Sequence, residues 1–247
     1  MELKENERID DLEFKNLKII QDKDGFCFGI DSVLLSDFAK NIRNNSKVMD
    51  LGTGTGILCI LLSGKTKNTT FVGTEIQQEV AEMAKRSVKL NNLEDRINIL
   101  NENILNLKNI YNEKSFDAVV TNPPYKKINT GVVNVEDKKL ISRHEITASL
   151  EDFIHTASYL LKDFGEFYMV HRPDRLVDIF SIMRKEKIEP KIIRFVYPKS
   201  NKKANMVLIK GVKLGNPFLE YEDNLIVYNE DGSYTDEILK IYNKKIM

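Results

Sequence analysis

The chain is poor in cysteine and proline and carries no excess charge of either sign. Its 247 residues include two cysteines, six prolines, 37 basic and 37 acidic side chains. Cys27 and Cys59 do not form a metal-type pair, so reduced thiols in a cytoplasmic protein are the simplest interpretation. No apolar stretch reaches the ~18 residues of a membrane span, and the charged segment Met1–Glu7 has no apolar signal region. A chain of this length is expected to form one domain over residues 1–247, with an ample core.

Two of the six prolines are adjacent, and they follow a short apolar run. The segment Thr121-Asn-Pro-Pro-Tyr125 comes directly after Phe116–Val120. A proline pair cannot lie inside a helix or a central strand, so it stiffens a loop. A planar amino group could donate its two hydrogens to the Asn122 side-chain oxygen and the Pro123 carbonyl. Tyr125 could stack on the ring that carries that amino group. The alternative is an ordinary turn with a surface tyrosine.

An earlier segment carries three closely spaced glycines between a short strand and an apolar helix. The strand ends at Asp50 and the helix begins at Ile57. The glycines are Gly52, Gly54 and Gly56. Glycines allow a ligand to approach the backbone closely. Because Ile57 stands where the dinucleotide fingerprint has its third glycine, the spacing argues against NAD. Glu75 ends the next strand about 20 residues on, a position that suits ribose hydroxyls.

Strand and helix patterns alternate along the chain. The predicted strands are Val48–Asp50, Thr70–Glu75, Ile97–Leu100, Phe116–Thr121, Glu166–His171, Lys191–Tyr197 and Asn205–Lys210. The predicted helices are Ser32–Asn41, Ile57–Ser63, Gln77–Leu90, Leu150–Leu161 and Arg175–Lys187. This alternation predicts an α/β fold with a seven-stranded, mostly parallel sheet and helices on both faces. Ligands of such sheets bind beyond the carboxyl ends of the strands, where Asp50, Glu75, Asn103 and Asn122 fall.

With these motifs in this order, the chain resembles class I S-adenosylmethionine-dependent methyltransferases that modify planar exocyclic or amide nitrogens. Gly25–Leu35 looks like the cofactor-contacting N-terminal motif of adenine-N6 methyltransferases. Arg143-His-Glu145, Val170–Arg175 and the tail Tyr228–Ile238 resemble the bacterial tRNA1(Val) adenine-37 N6-methyltransferase-like group. The resemblance covers nearly the whole chain. It implies a Rossmann-like fold with a reversed strand near one sheet edge, S-adenosylmethionine as cofactor, and tRNA as partner. Residues 1–46 are expected to contribute to the cofactor site.

The resemblance also implies site residues. The catalytic candidates are Asn122, Pro123, Pro124 and Tyr125. The cofactor-binding candidates are Asp31, Asp50, Gly52, Gly54, Gly56, Glu75, Asn103 and Asn122. No metal site is expected. His144 and His171 are possible catalytic bases. The reaction does not need a base, because the sulfonium of the cofactor is already a reactive methyl donor.

Three of the cofactor candidates have alternative interpretations. Asp50 orders the glycine turn or the cofactor's amino end, or else caps backbone amides. Asp31 orders the N-terminal motif or caps a helix. Asn103 stands where the family commonly has an Asp that contacts the cofactor adenine, and its side-chain oxygen can accept the same hydrogen bond.

Basic residues are concentrated in the middle of the chain. Residues 120–215 carry 18 basic and 11 acidic side chains, whereas residues 1–119 carry 16 and 19. This excess begins at the proline pair and fits an approaching phosphate backbone, although ordinary solvated charge is the alternative. The RNA-binding candidates are Lys126, Lys127, Arg143, Arg175, Lys199, Lys202 and Lys203.

The sequence thus predicts an adenine-N6 methyltransferase acting on RNA, with tRNA as the expected substrate. A protein-glutamine N5 methyltransferase would use the same tetrapeptide, but 49 residues before Asp50 are too few for that family's helical substrate domain. A DNA adenine methyltransferase would need a target-recognition domain for which there is little room. A non-catalytic RNA-binding scaffold is disfavoured by the intact tetrapeptide. No obligate protein partner is indicated.

Overall fold

A computed structural model describes residues 3–24, 28–125 and 148–244. The strands are β1 (Glu7–Asp11), β2 (Lys18–Asp22), β3 (Lys47–Leu51), β4 (Thr70–Glu75), β5 (Ile97–Asn101), β6 (Phe116–Thr121), β7 (Leu161–His171), β8 (Ile188–Tyr197), β9 (Met206–Lys213), β10 (Glu220–Tyr221) and β11 (Leu225–Ile226). The helices are α1 (Ile30–Phe38), α2 (Ile57–Lys65), α3 (Gln78–Leu90), α4 (Leu150–Leu160), α5 (Leu176–Lys185) and α6 (Asp236–Ile241). Two 3₁₀ helices cover Ile104–Asn109 and Pro173–Arg175.

The central sheet has the order β10-β8-β9-β7-β6-β3-β4-β5, and β11 also pairs with β8. Strands β3 to β7 pair in parallel, whereas β9 runs antiparallel to both β7 and β8. The predicted mostly parallel sheet with a reversed strand near one edge is therefore confirmed. The sheet has nine strands within the described residues rather than seven. The two additional strands, β10 and β11, are two residues long and too short to produce a periodic pattern.

Three strands extend three or more residues beyond their predicted bounds, among them β9, which ends at Lys213. β7 begins at Leu161 and β8 at Ile188. Pro190 lies inside β8 at a point where the pairing register with β9 shifts before Ile192. A proline cannot donate to the ladder and is tolerated at such an irregularity, so the strand continues through it.

Apolar side chains on the two faces of the sheet form two separate cores. Val48 of β3 belongs to the core beneath α1, α2 and α3, while its neighbour Met49 belongs to the core beneath α4 and α5. This alternation follows from the two-residue period of a strand. Helix α2 is buried from Ile57 to Ser63, which explains its continuous apolar sequence.

An antiparallel hairpin, β1–β2, precedes the main sheet and was not predicted. It packs against α3, where Arg86 pairs with Glu7 and the Ile20 amide donates to the Ser87 hydroxyl. The sequence of β1, Glu-Arg-Ile-Asp-Asp, has almost no apolar alternation. Its strand conformation therefore depends on pairing with β2, which in turn packs on α3.

No helix in the described part of the chain combines the length and apolar character needed to cross a bilayer. Within the same residues, no cluster of three or more His, Cys, Asp and Glu side chains is arranged to hold a metal ion.

Candidate active site

Polar groups gather where the parallel strands end. Because β3, β4, β5, β6 and β7 run in the same direction, their carboxyl ends lie at one edge of the sheet. Pairing of Leu51 with Thr121 places the glycine turn after β3 next to the proline pair after β6. This edge is where an open α/β sheet binds its ligand, and the predicted site residues Asp50, Glu75 and Asn122 all lie there.

The glycine turn needs backbone conformations that side chains disfavour. Gly52, Gly54 and Gly56 have φ values of 73°, 56° and 87°, in the left-handed region that glycine adopts without steric cost. The turn is closed by hydrogen bonds from the Thr53 amide to the Thr74 carbonyl, 2.8 Å, and from the Gly56 amide to the Thr53 carbonyl, 3.0 Å. A Cβ atom at Gly54 would meet no atom within 4 Å. The turn therefore faces open space at the N-terminus of α2.

Glu75 connects the end of β4 to this turn. Its carboxylate accepts hydrogen bonds from the Gly54 amide, 3.1 Å, and from the Gln77 amide, 2.9 Å. The residue is 8% exposed. Glu75 thus ties the end of β4 to the glycine turn.

Asp50 lies beneath the same turn and is completely buried. Its Oδ2 atom accepts hydrogen bonds from the Thr53 hydroxyl, 2.6 Å, and the Cys59 thiol, 3.6 Å. Among the described residues no group bonds to its Oδ1 atom. Burial raises the pKa of Asp50 to about 7, against the opposing effect of the Thr53 and Cys59 hydrogen bonds. Asp50 therefore orders the turn through the Thr53 side chain and retains an unsatisfied acceptor.

Asn103 is the N-cap of the 3₁₀ helix Ile104–Asn109. Its side-chain oxygen accepts a hydrogen bond from the Leu105 amide at 3.0 Å. This local role is typical of asparagine. The predicted contact of Asn103 with the cofactor adenine stays a prediction.

The Asn122 side chain is held by the N-terminal helix α1. Its amide nitrogen lies 2.9 Å from Asp31 Oδ2 and 3.3 Å from the Ser32 hydroxyl. The Tyr125 hydroxyl lies 2.9 Å from the same Asp31 oxygen and 2.8 Å from Asn122 Oδ1. Pro123 between them is buried and Pro124 is exposed. Residues 91 positions apart thus form one hydrogen-bonded network at the end of β6.

The Tyr125 ring packs against His171 at the end of β7. The ring centroids are 5.1 Å apart and the planes are inclined by 60°. His171 is 1% exposed and its Nδ1 atom accepts a hydrogen bond from the Arg172 amide. Burial lowers the pKa of His171 to about 4, so the imidazole is neutral and a weak proton acceptor at pH 7. Burial, together with the Asp31 carboxylate, raises the pKa of Tyr125.

The basic loop between β8 and β9 lies at the same edge of the sheet. Both β7 and β8 run antiparallel to β9, so β8 ends where β7 ends. The Lys199 ammonium donates to the Glu230 carbonyl at 2.8 Å, and Arg175 pairs with Asp178 at 2.8 Å. The exposed lysines of the loop are Lys202 and Lys203. Three other RNA-binding candidates lie outside the described residues: Lys126, Lys127 and Arg143.

A family model described as "Methyltransferase small domain" matches residues 16–186. The chain belongs to this family. That membership confirms the resemblance inferred from the glycine turn and the proline pair.

Curated relatives of this methyltransferase carry the name tRNA1(Val) (adenine(37)-N6)-methyltransferase. A relative from Porphyromonas gingivalis is 27% identical over 235 residues, which cover 92% of this chain and 91% of the relative. One from Mannheimia succiniciproducens is 26% identical over 235 residues, covering 92% and 90%. Among solved structures, a predicted O-methyltransferase from Agrobacterium tumefaciens superposes with a TM-score of 0.69 at 21% identity, over 86% of this chain and 95% of that one. This last likeness concerns the fold.

Sequence reasoning about this methyltransferase missed three contacts. Thr53 joins Asp50 to the turn, Ser32 borders Asn122, and His171 supports the Tyr125 ring. The sequence suggests His171 as a base and as part of the segment Val170–Arg175, neither of which predicts this ring contact; His144 lies outside the described residues. A signal for Thr53 was available, since a hydroxyl between two turn glycines is well placed to bond the preceding aspartate. Nothing local points to the Ser32 or His171 contacts.

Proposed function

We propose that this protein is an S-adenosylmethionine-dependent methyltransferase that modifies the exocyclic N6 of an adenine in tRNA, in the cytoplasm. The names of the curated relatives support the substrate. The observation that carries the chemistry is the position of Asn122. Asn122 follows a strand end that pairs with the end of β3 before the glycine turn, and its nitrogen is held by Asp31 while its oxygen lies 2.8 Å from the Tyr125 hydroxyl.

The residues around the glycine turn fit this cofactor. The open space in front of Gly54 admits a ligand against the backbone. The Glu75 carboxylate would accept hydrogen bonds from ribose hydroxyls, and the unsatisfied Asp50 oxygen would suit an amino group. Asn103 would accept from the adenine amino group. When bound, the cofactor supplies a sulfonium methyl group that needs no further activation.

Asn122 and Pro123 would hold the acceptor nitrogen. The N6 lone pair of adenine is delocalised into the ring, which makes it a poor nucleophile. Hydrogen bonds to the Asn122 oxygen and the Pro123 carbonyl would favour a more tetrahedral nitrogen with a localised lone pair. That lone pair would accept the methyl group that the cofactor supplies, leaving the bonding pair on the cofactor's sulfur, and the surplus N6 proton would pass to water.

Catalysis would therefore rest on orientation rather than on a protein base. Holding two reactants in line contributes up to roughly 7–11 kcal/mol. The low pKa of His171 agrees with this, because an imidazole with a pKa of about 4 holds a proton poorly at pH 7. Extruding a stacked base costs a few kcal/mol, of which stacking on Tyr125 would offset about 1–3 kcal/mol.

The test is a transfer assay with labelled cofactor and purified transcripts. Transcripts of a valine tRNA with adenine or guanine at position 37 form the matched pair. Nuclease digestion followed by mass spectrometry should show N6-methyladenosine in the first transcript only. Transfer to DNA or to a protein glutamine, with none to RNA, would refute the proposed substrate. Cofactor binding and RNA binding without any transfer would indicate a scaffold.

A further inference from the structure

Asp31 is the centre of the hydrogen-bonded network at the end of β6. One oxygen, Oδ2, lies 2.9 Å from the Asn122 amide nitrogen and 2.9 Å from the Tyr125 hydroxyl. The other oxygen, Oδ1, accepts a hydrogen bond from the Ser32 amide at 2.8 Å. Asp31 thus uses one oxygen within α1 and the other across the site.

We propose that Asp31 is a positioning residue that fixes the orientation of the Asn122 amide and thereby the acceptor nitrogen. This inference rests on the proposed function and names the group that makes Asn122 specific for an amino acceptor. This orienting role of Asp31 does not follow from the family description or from the names of the relatives.

The direction of the effect follows from the chemistry of the two groups. An ionised carboxylate only accepts hydrogen bonds, whereas an amide presents an acceptor on one side and a donor on the other. Asp31 therefore selects the rotamer in which the Asn122 nitrogen faces α1 and the oxygen faces away. In the flipped rotamer two oxygens would stand at hydrogen-bond distance, and the Asn122 nitrogen would meet the donor hydrogens of the acceptor amine.

Asp31 also gives the Tyr125 hydroxyl a hydrogen-bond acceptor when the methyl-accepting base binds. A tyrosine hydroxyl has one hydrogen to donate, and in this structure both Asp31 Oδ2 and Asn122 Oδ1 lie within reach of it. An adenine amino group that donates to the Asn122 oxygen would displace the Tyr125 hydroxyl from it. The hydroxyl can then donate to the Asp31 carboxylate instead. The exchange therefore leaves the Tyr125 hydroxyl with a hydrogen-bond partner.

The test exchanges the two side chains. Asp31→Asn removes the obligate acceptor and lets the Asn122 amide adopt either orientation. A charge-assisted hydrogen bond of the usual strength is worth about 10- to 100-fold. Because the variant loses the bond that holds the Asn122 amide in place as well as its orientation, kcat should fall by that factor. Asn122→Asp places two carboxylates at hydrogen-bond distance and should also be strongly impaired. In the double variant, the new amide at position 31 donates to the new carboxylate at position 122, whose second oxygen faces the acceptor, and kcat should return to within about tenfold of wild type.

Several readouts separate this role from the alternatives. Cofactor affinity, measured by calorimetry, should stay within about threefold in Asp31→Asn. Asp37→Asn removes the other aspartate of α1 and should leave kcat unchanged. If the losses of the two single variants multiply in the double variant, Asp31 acts independently of Asn122 and the proposal fails. It also fails if Asp31→Asn weakens cofactor binding with kcat unchanged, because Asp31 is then a cofactor contact.

Two further measurements keep the inference testable if the first variants fold poorly or the proposed function fails. Asp31→Ser retains a polar group for the Ser32 amide but is too short to reach Asn122, so it should reproduce the loss in kcat. The side-chain amide resonances of Asn122 should differ between the wild type and Asp31→Ser, an observation that requires no substrate. A wild type that transfers no methyl group to any acceptor overturns the proposed function. Unshifted Asn122 resonances overturn the orienting contact.

Discussion

Replacement of Glu75 by alanine tests the cofactor site most directly, because the structure shows what the carboxylate already binds. It accepts hydrogen bonds from the Gly54 amide at 3.1 Å and the Gln77 amide at 2.9 Å. Bonds to a charged acceptor contribute roughly 1.5–3 kcal/mol each. Since the turn is open on one side, water will form hydrogen bonds with the freed amides and offset part of this loss. We expect Glu75→Ala to lower the free energy of unfolding by about 2–4 kcal/mol, which lowers the Tm by about 5–15 °C for a chain of this size.

The same substitution should weaken binding of the cofactor. Loss of a carboxylate that accepts from ribose hydroxyls, and loosening of the turn at Gly54, should raise the Kd for S-adenosylmethionine by at least about tenfold. Glu75→Gln keeps the shape and one acceptor oxygen but places an NH₂ group against a backbone donor, so its effects should be intermediate. Calorimetry at a temperature well below the lowest Tm measures affinity on folded protein.

Glu82→Ala is the matched control, because Glu82 lies on the exposed face of α3, where it pairs with Lys85. It should change neither the Tm nor the Kd appreciably. A Glu75→Ala variant that binds the cofactor within threefold of wild type would refute the ribose contact. A Tm unchanged within 2 °C would refute the structural role of the two backbone bonds.

The remaining predictions concern turnover, pH dependence and RNA. Asn122→Ala should leave cofactor affinity intact and lower kcat by on the order of 10²–10³; turnover within threefold of wild type would contradict its role. Because the folded-state pKa of Asp50 is raised to about 7, its stabilising contribution is present at low pH and is lost as pH rises through that value. Measured by urea unfolding, the free energy of unfolding of Asp50→Asn should rise by about 3 kcal/mol relative to that of the wild type between pH 5 and pH 8. A difference between the two proteins that stays constant over this range would exclude the shifted pKa. Replacing Lys202 and Lys203 with serine should lower the slope of log K for RNA binding against log salt concentration by about 1.5–2. Lys199→Ser removes an ammonium that is bound to a backbone carbonyl and should change the slope less. An unchanged slope in the double variant would show that RNA does not contact this loop.

Local patterns were sufficient for the parts of the fold that repeat a local rule. The apolar runs before Asp50 and Asn122 and the amphipathic sequence of α3 identify buried strands and a helix because burial imposes a period on each element. The predicted helix Gln77–Leu90 differs from α3 by one residue. Glycine spacing fixed the turn after Asp50, since side chains disfavour φ values of 56° to 87°. These features need no knowledge of distant residues.

The sequence alone therefore determined the family, the parallel sheet and the edge at which Asp50, Glu75 and Asn122 meet. Tertiary structure alone decided that Asp31 binds Asn122, that His171 supports Tyr125, and that the charged hairpin β1–β2 packs on α3. Those contacts join residues up to 91 positions apart, and each depends on how separate elements are placed in space. A hydrogen bond between two polar side chains leaves no periodic trace in either segment, because its energy depends on distance and direction rather than on spacing along the chain.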